Sequence, residues 1–417
     1  MTSRERLQKT LNHEAVDRPC VDLGGTAVTG IAASTISTLR KALFGDPSHR
    51  VKVIEPYQML GEVDEELRER LGIDIIGIPT RKTLFGFENK AWKPFTMFDG
   101  TEVLIPGDFN VTVAQSGDLL IYPEGDTTVA PSGRMPKNGY YFDAIPRQDP
   151  IDDEQLLPED NLEDFALLGD DDLAYYESQA KKLAGSKNGV IITIPGTGFG
   201  DIALVPAMWR KRTRGIREIE EWYVSTVTRR DFVYKVFEGQ CEIALKNLER
   251  IIAIVGDSAQ VAFVTGTDFG TQNRAFISRK AYRELYQPFH KIITSYIHKH
   301  SRWKTFIHSC GSVIDLIPDF IDSGFDVLNP VQCSAAGMSA KTLKKEFGKD
   351  LVFWGGGVDT QKTLPFGTPD EVYREVRERI EILGEGGGFV FNAIHNIQAG
   401  VPVDNVLAMF RAIRESA

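Results

Sequence analysis

From about residue 175 onward the chain alternates between short, unbroken apolar runs and longer stretches in which apolar residues recur every three or four positions. An apolar run of strand length reads as a strand buried on both faces, and the recurring pattern as an amphipathic helix. The runs are Gly189–Ile194, Gln260–Val264, Trp303–Ile307, Asp326–Pro330, Leu351–Trp354 and Gly388–Phe391. Helices are expected at 175–184, 216–255, 278–300, 312–323, 339–347 and 369–383. The last has a well-marked start in Thr368-Pro369-Asp370-Glu371: a hydroxyl cap, proline in the first position and acids in the first turn. Upstream, Cys20–Leu23 and Ile73–Ile78 add two more strands, with helices at 3–14 (capped by Ser3), 34–44 and 60–71.

Eight strands joined mostly by helices predict an α/β fold, a (β/α)8 TIM barrel formed by residues 1–417 as one domain. An open doubly wound sheet is the competing architecture. It is disfavoured because no Gly-x-Gly-x-x-Gly links a strand to a helix. Residues 85–150 break the rhythm. Their short alternating runs, near Trp92–Phe95, Thr101–Ile105, Val111–Val113 and Leu119–Tyr122, are divided by Asp-Gly, Pro-Gly, Ser-Gly-Asp and Glu-Gly-Asp turns. This is hairpin chemistry, and it predicts an antiparallel β-rich insertion. A lid, a homodimer contact and a docking surface are all open to it. The acidic, proline-punctuated stretch 146–173 reads as a surface segment.

Composition narrows the function classes. A net charge of −10 argues against an electrostatic grip on nucleic acid or an anionic membrane. No apolar run reaches the roughly 18 residues a bilayer span needs, and the charged N-terminus is unlike a secretory signal. Four scattered cysteines make no disulfide framework. The expectation is a cytoplasmic protein acting on a small molecule.

In such barrels chemistry gathers at the C-terminal ends of the strands. Strand three runs into Pro195-Gly196-Thr197-Gly198-Phe199-Gly200-Asp201, and strand four into Thr265-Gly266-Thr267-Asp268-Phe269-Gly270-Thr271-Gln272. His308-Ser309-Cys310-Gly311 follows strand five, Asn329-Pro330-Val331-Gln332-Cys333 strand six, Gly355-Gly356-Gly357-Val358-Asp359 strand seven and Asn392-Ala393-Ile394-His395 strand eight. Residues two apart on a strand share a face, so His308 and Cys310 point the same way. A core cysteine beside a core histidine is the plain alternative for that pair alone. Two of the four cysteines and two of the seven histidines lie at these strand ends, however. His308, Cys310, Cys333 and His395 therefore suggest a metal centre, either as four ligands or as three with an open position. Imidazole and thiolate suit zinc. Its use would be to lower a thiol pKa. Asp268, Asp359 and Asp74 are candidate catalytic carboxylates, with Asp74 equally readable as the partner of a buried arginine or lysine. Gln272, Asn329, Gln332 and Asn392 are candidate substrate contacts. Cys20 and Cys241 read as core groups, and His290, His298 and His300 as packing or surface groups on a helix.

Several of these stretches resemble the uroporphyrinogen decarboxylase superfamily. They are Arg4-x-Arg6 with Asp17-Arg18-Pro19, His308-x-Cys310-Gly311, Trp354-Gly355-Gly356-Gly357-Val358-Asp359, Phe366-Gly367-Thr368-Pro369 and Pro402-x-Asp404-Asn405-x-x-Ala408-Met409. The superfamily includes methylcobalamin:coenzyme M and related corrinoid-dependent methyltransferases, and the resemblance implies a (β/α)8 barrel with a deep C-terminal cleft. True decarboxylases carry an arginine-rich stretch after the first strand. Asp22-Leu23-Gly24-Gly25-Thr26-Ala27-Val28-Thr29-Gly30 has no arginine, so a porphyrinogen would lack its cationic clamp. The methyltransferase branch holds zinc with His-x-Cys at the fifth strand and a cysteine at the eighth. His308 and Cys310 match, while the eighth position holds His395.

The resemblance therefore implies a zinc-dependent methyltransferase acting between a corrinoid and a small acceptor, expected to be a thiol. No Asp-x-His-x-x-Gly signature is present, so a corrinoid would sit on a separate protein partner. Two alternatives remain. One is a decarboxylase or lyase for a small carboxylated substrate, using Asp74 or Asp268 with His395. The other is a non-catalytic corrinoid-handling protein.

Overall fold

The computed structural model describes residues 1–416. Eight parallel strands lie in one sheet: β1 (Cys20–Val21), β2 (Ile75–Ile78), β3 (Gly189–Thr193), β4 (Val261–Thr265), β5 (Lys304–His308), β6 (Val327–Asn329), β7 (Val352–Trp354) and β8 (Phe389–Phe391). Strands β2 to β8 pair in chain order, and β1 pairs with β8. Between β1 and β2 the Asp74 N–H donates to the Val21 carbonyl at 2.8 Å, which nearly closes the ring into a (β/α)8 barrel. All eight strands lie where the apolar runs predict them.

Alternation along each strand fills the barrel. Cys20, Ile75, Ile191, Val261, Phe306, Val327, Val352 and Val390 point inward as one apolar cluster. Leu7 and Leu11, one helical turn apart on the N-terminal helix Ser3–Leu11, plug the cluster from below. That helix is capped by Thr2 rather than Ser3. The Thr2 hydroxyl accepts from the Glu5 N–H, and the Glu5 carboxylate accepts from the Thr2 N–H, forming a reciprocal capping box. The expected helix 216–255 divides at Arg229 into Ile219–Thr228 and Arg230–Val255. That at 60–71 shortens to Glu65–Leu71, because Leu60–Gly61 pairs as a strand.

The insertion departs from the expected antiparallel pattern at one pairing. Val51–Glu55, which precedes β2, joins it and runs parallel to Glu102–Ile105, between Leu60–Gly61 on one side and Lys93–Thr96 beyond. A second sheet, Val111–Val113, Leu119–Ile121, Gly133–Met135 and Asp143–Ala144, is antiparallel throughout. Phe85, Phe109 and Phe142 pack edge to face between the sheets. The Asn396 amide donates to the Ala27 carbonyl and to the Gln58 amide oxygen, both at 2.8 Å, tying this region to the β1 and β8 ends.

Asp74 immediately precedes β2 and so lies at the N-terminal end of the barrel, opposite the strand ends where chemistry gathers. Its carboxylate is fully buried and accepts from Arg6, from both terminal nitrogens of Arg18 and from the Val21 N–H, all within 2.9 Å. The structure corrects its reading as a catalytic carboxylate: it joins the N-terminal segment to β1 and β2. At the other end, buried Asp22 receives a hydrogen bond from Trp354 Nε1 at 2.8 Å, clamping β1 to β7 across the barrel. Burial pushes the Asp22 carboxyl up to about 6 despite the Trp354, Thr29 and Gly25 donors.

Two predictions follow from these carboxylates. Asp74→Ala leaves Arg18 without its carboxylate and Arg6 with Asp17 alone, and leaves the buried Val21 N–H without its acceptor; it is expected to cost about 3 kcal/mol, read from the urea unfolding midpoint. Asp22 favours its protonated form when folded. Its contribution is thus lost as pH rises from about 4 through about 6. Asp22→Asn removes that dependence, so the stability difference between mutant and parent should rise across this window by up to about 3 kcal/mol, at roughly 1.4 kcal/mol per pKa unit.

Candidate metal centre

Above the apolar plug the inward positions turn polar. His308 follows Phe306 by two residues, Asn329 follows Val327, Trp354 follows Val352, Asn392 follows Val390 and Asp22 follows Cys20. A hydrogen-bonded belt joins them. Asn329 Nδ2 donates to the Trp354 carbonyl at 2.6 Å, which fixes the orientation of the amide. Its Oδ1 therefore faces His308 Nδ1, 2.5 Å away, and that nitrogen must carry the proton. Trp354 Nε1 donates to Asp22, and the Asn392 amide donates to the Asp22 carbonyl at 3.1 Å. His308 is left with the lone pair of Nε2 directed away from the belt.

That lone pair looks onto Cys310 Sγ at 3.3 Å. His395 completes a trio: one ligand atom from each of His308, Cys310 and His395 lies within 4.8 Å of the others. The two imidazole rings meet edge to face, with centroids 5.5 Å apart. Burial, and then the neighbouring His308, pushes His395 down to about 3, so it stands ready as a neutral donor. Burial, followed by the Asp268 carboxylate, pushes the Cys310 thiol well up. A thiol in that setting ionises readily only with a cation against it. Two imidazoles, one thiol and an outer amide against Nδ1 of His308 form a donor set that fits zinc.

The loops around the trio are held by their backbones. Asp268 Oδ1 accepts the Cys310 N–H at 2.6 Å and lies 3.8 Å from His308 Nε2. Ser309 Oγ accepts the Phe269 N–H at 2.9 Å. Gly311 has φ +85°, and a Cβ there would lie 2.4 Å from the Gly270 backbone, so glycine is required where the two loops cross.

A cavity of about 340 Å³ opens beside Cys310 and His395. Gln272, Gln332 and Asp359 line it. Gln332 also accepts the Gly311 N–H at 2.7 Å, and Asp359 accepts the N–H groups of Gln361 and Lys362, which shapes its own loop. Three expectations are corrected. Asn329 and Asn392 do not line this cavity, because their side chains are buried in the belt beneath it. Cys333 stands outside the trio, packed against the outer core, where burial pushes its thiol up to about 11.

One acid escaped selection from the sequence. Asp201, after β3, accepts the Ala203 N–H at 3.0 Å, and burial followed by the Asp268 carboxylate pushes it up to about 6. Its loop is visible at a strand end, but only the folded chain shows its proximity to Asp268.

Comparison with known proteins places this geometry. The profile of the uroporphyrinogen decarboxylase (URO-D) family matches residues 217–416. A methylated-thiol–coenzyme M methyltransferase of Methanosarcina mazei is 27% identical over 146 residues, spanning 34% of this chain and only 35% of that protein. A solved structure titled as a methyltransferase from Methanosarcina mazei aligns over 100% of this chain and 99% of its own, with a TM-score of 0.54 at 17% identity, a likeness of fold. Profile and barrel agree: residues 217–416 match the uroporphyrinogen decarboxylase family, and both relatives carry the name methyltransferase.

Proposed function

We propose that the protein is a zinc-dependent methyltransferase that moves a methyl group between a corrinoid on a separate protein and a small thiol acceptor. The observation that carries this reading is the trio His308, Cys310 and His395, of which Cys310 and His395 line a cavity of about 340 Å³, with Asn329 setting the His308 tautomer. When bound, zinc would act as a Lewis acid that lowers the pKa of a ligating thiol to neutrality. His308 and His395 would supply nitrogen donors, and Cys310 the single thiolate. Asp268, held against the Cys310 N–H, is placed to take the proton that an acceptor thiol gives up.

The decarboxylase alternative loses one of its proposed acids, since Asp74 lies at the other end of the barrel and is saturated with arginine and backbone donors. We place the protein in the cytoplasm; among the described residues no helix is long and apolar enough to cross a membrane.

Metal analysis tests the zinc directly. Protein purified without chelators should hold about one zinc per chain, and Cys310→Ser should hold far less. Less than roughly 0.3 zinc per chain, unchanged in Cys310→Ser, would remove zinc from the proposal. Asn329→Ala should weaken zinc about 10–100-fold in a chelator competition, because nothing then fixes the ligating tautomer.

A further inference from the structure

The cavity beside the trio is small, near the lower end of the roughly 300–1,000 Å³ typical of ligand pockets. Its polar lining consists mainly of groups that hydrogen-bond without charge: Thr271, Gln272, Ser334, Thr360 and Gln361. The charged side chain in that lining is a carboxylate, Asp359, only 7% exposed. A second carboxylate, Asp268, lies outside the lining but accepts the N–H of the lining residue Cys310 at 2.6 Å. No lysine or arginine lines the space among the described residues. Arg379, near the adjoining loop, is paired with Glu375 at 3.3 Å, while Arg274 and Lys362 are exposed and outside the lining.

We infer that this cavity accepts a small molecule whose far end is uncharged or cationic, and that it turns away sulfonates, carboxylates and phosphates. This rests on the proposed acceptor site and adds to it the charge class of the acceptor. An anion entering here would leave water for a recess without a counter-charge and beside carboxylates, where low effective dielectric strengthens the repulsion. A hydroxyl, amide or ammonium group would instead find hydrogen-bond partners, and an ammonium would also gain the acids.

Two measurements test the inference and separate it from the functional reading. Cys310 lies in the cavity wall, so its alkylation in chelator-stripped protein reports the local field without any metal. Iodoacetamide and iodoacetate differ mainly in charge. Their rate ratio at Cys310, read by peptide mass spectrometry and divided by the same ratio for glutathione, should be about tenfold or more. Asp359→Asn should bring it back toward unity, and Thr360→Lys, which adds a cation without disturbing the Asp359 turn, should invert it. The thiol's raised pKa slows both reagents alike and cancels in the ratio; a normalised ratio at or below unity in the parent protein would overturn the inference.

The second measurement uses zinc-loaded protein and three thiols with one two-carbon frame: 2-mercaptoethanol, cysteamine and 2-mercaptoethanesulfonate. The first two should bind about tenfold or more tightly than the third. Equal or tighter sulfonate binding would overturn the inference. If zinc loads and none of the thiols binds, the thiol-acceptor reading fails, while the alkylation ratio still decides the charge class of the cavity.

Discussion

The contact between Asn329 and His308 is the constraint on which the site depends. An imidazole can ligate a metal only through a nitrogen without a proton, and in isolation either nitrogen can carry it. Asn329 removes the choice. Its amide cannot flip, because the Trp354 carbonyl can only accept, so His308 Nδ1 must donate and Nε2 must face Cys310. The amide is in turn fixed by the pairing of β6 with β5 and β7, which places its backbone. The ligand's protonation state is thus written into strand register.

The same logic extends around the barrel. Alternation forces every second residue of each strand inward, and the lower layers are apolar because nothing there can satisfy a polar group. At the mouth, side chains can reach one another and the loops, and there His308, Asn329, Trp354, Asp22 and Asn392 form a belt of mutual partners. This floor separates the greasy plug from the reactive cavity. It also separates two groups of acids: arginine-bound Asp74 serves closure below, while Asp268 holds the Cys310 N–H above.

Much of this was legible in the sequence because it follows from short-range periodicity. Eight apolar runs name eight strands, and His308-x-Cys310 needs only the two-residue repeat to bring both side chains to one face. What depends on three-dimensional neighbours was not legible. Cys333 and His395 are equivalent as letters after a strand, and only loop geometry takes one to the trio and the other to the outer core. Asn329 and Asn392 look like substrate contacts until the belt is seen to use them. Asp74 falls at the start of the Ile73–Ile78 run, which already marks the N-terminal end of the barrel; what the sequence hides is that Arg6, Arg18 and the Val21 N–H converge on it. The insertion's parallel pairing was hidden for another reason: Val51–Glu55 reaches Glu102–Ile105 across β2.

The donor set carries its own electrostatic argument. With two imidazoles and one thiolate, the proposed zinc would retain a unit positive charge, where a second thiolate would have cancelled it. Asp268 lies 3.8 Å from His308 Nε2 and is tied to the Cys310 N–H, so it can offset that charge from just outside the ligand sphere. A carboxylate in that position does more than balance charge, because it can also gain or lose a proton while the ligands keep theirs fixed. Exchanging a thiolate ligand for His395 would then move one negative charge from a group that cannot take part in proton transfer to one that can. The acids that make the cavity hostile to anions are, on this view, the same groups that let a site with only one thiolate hold its metal.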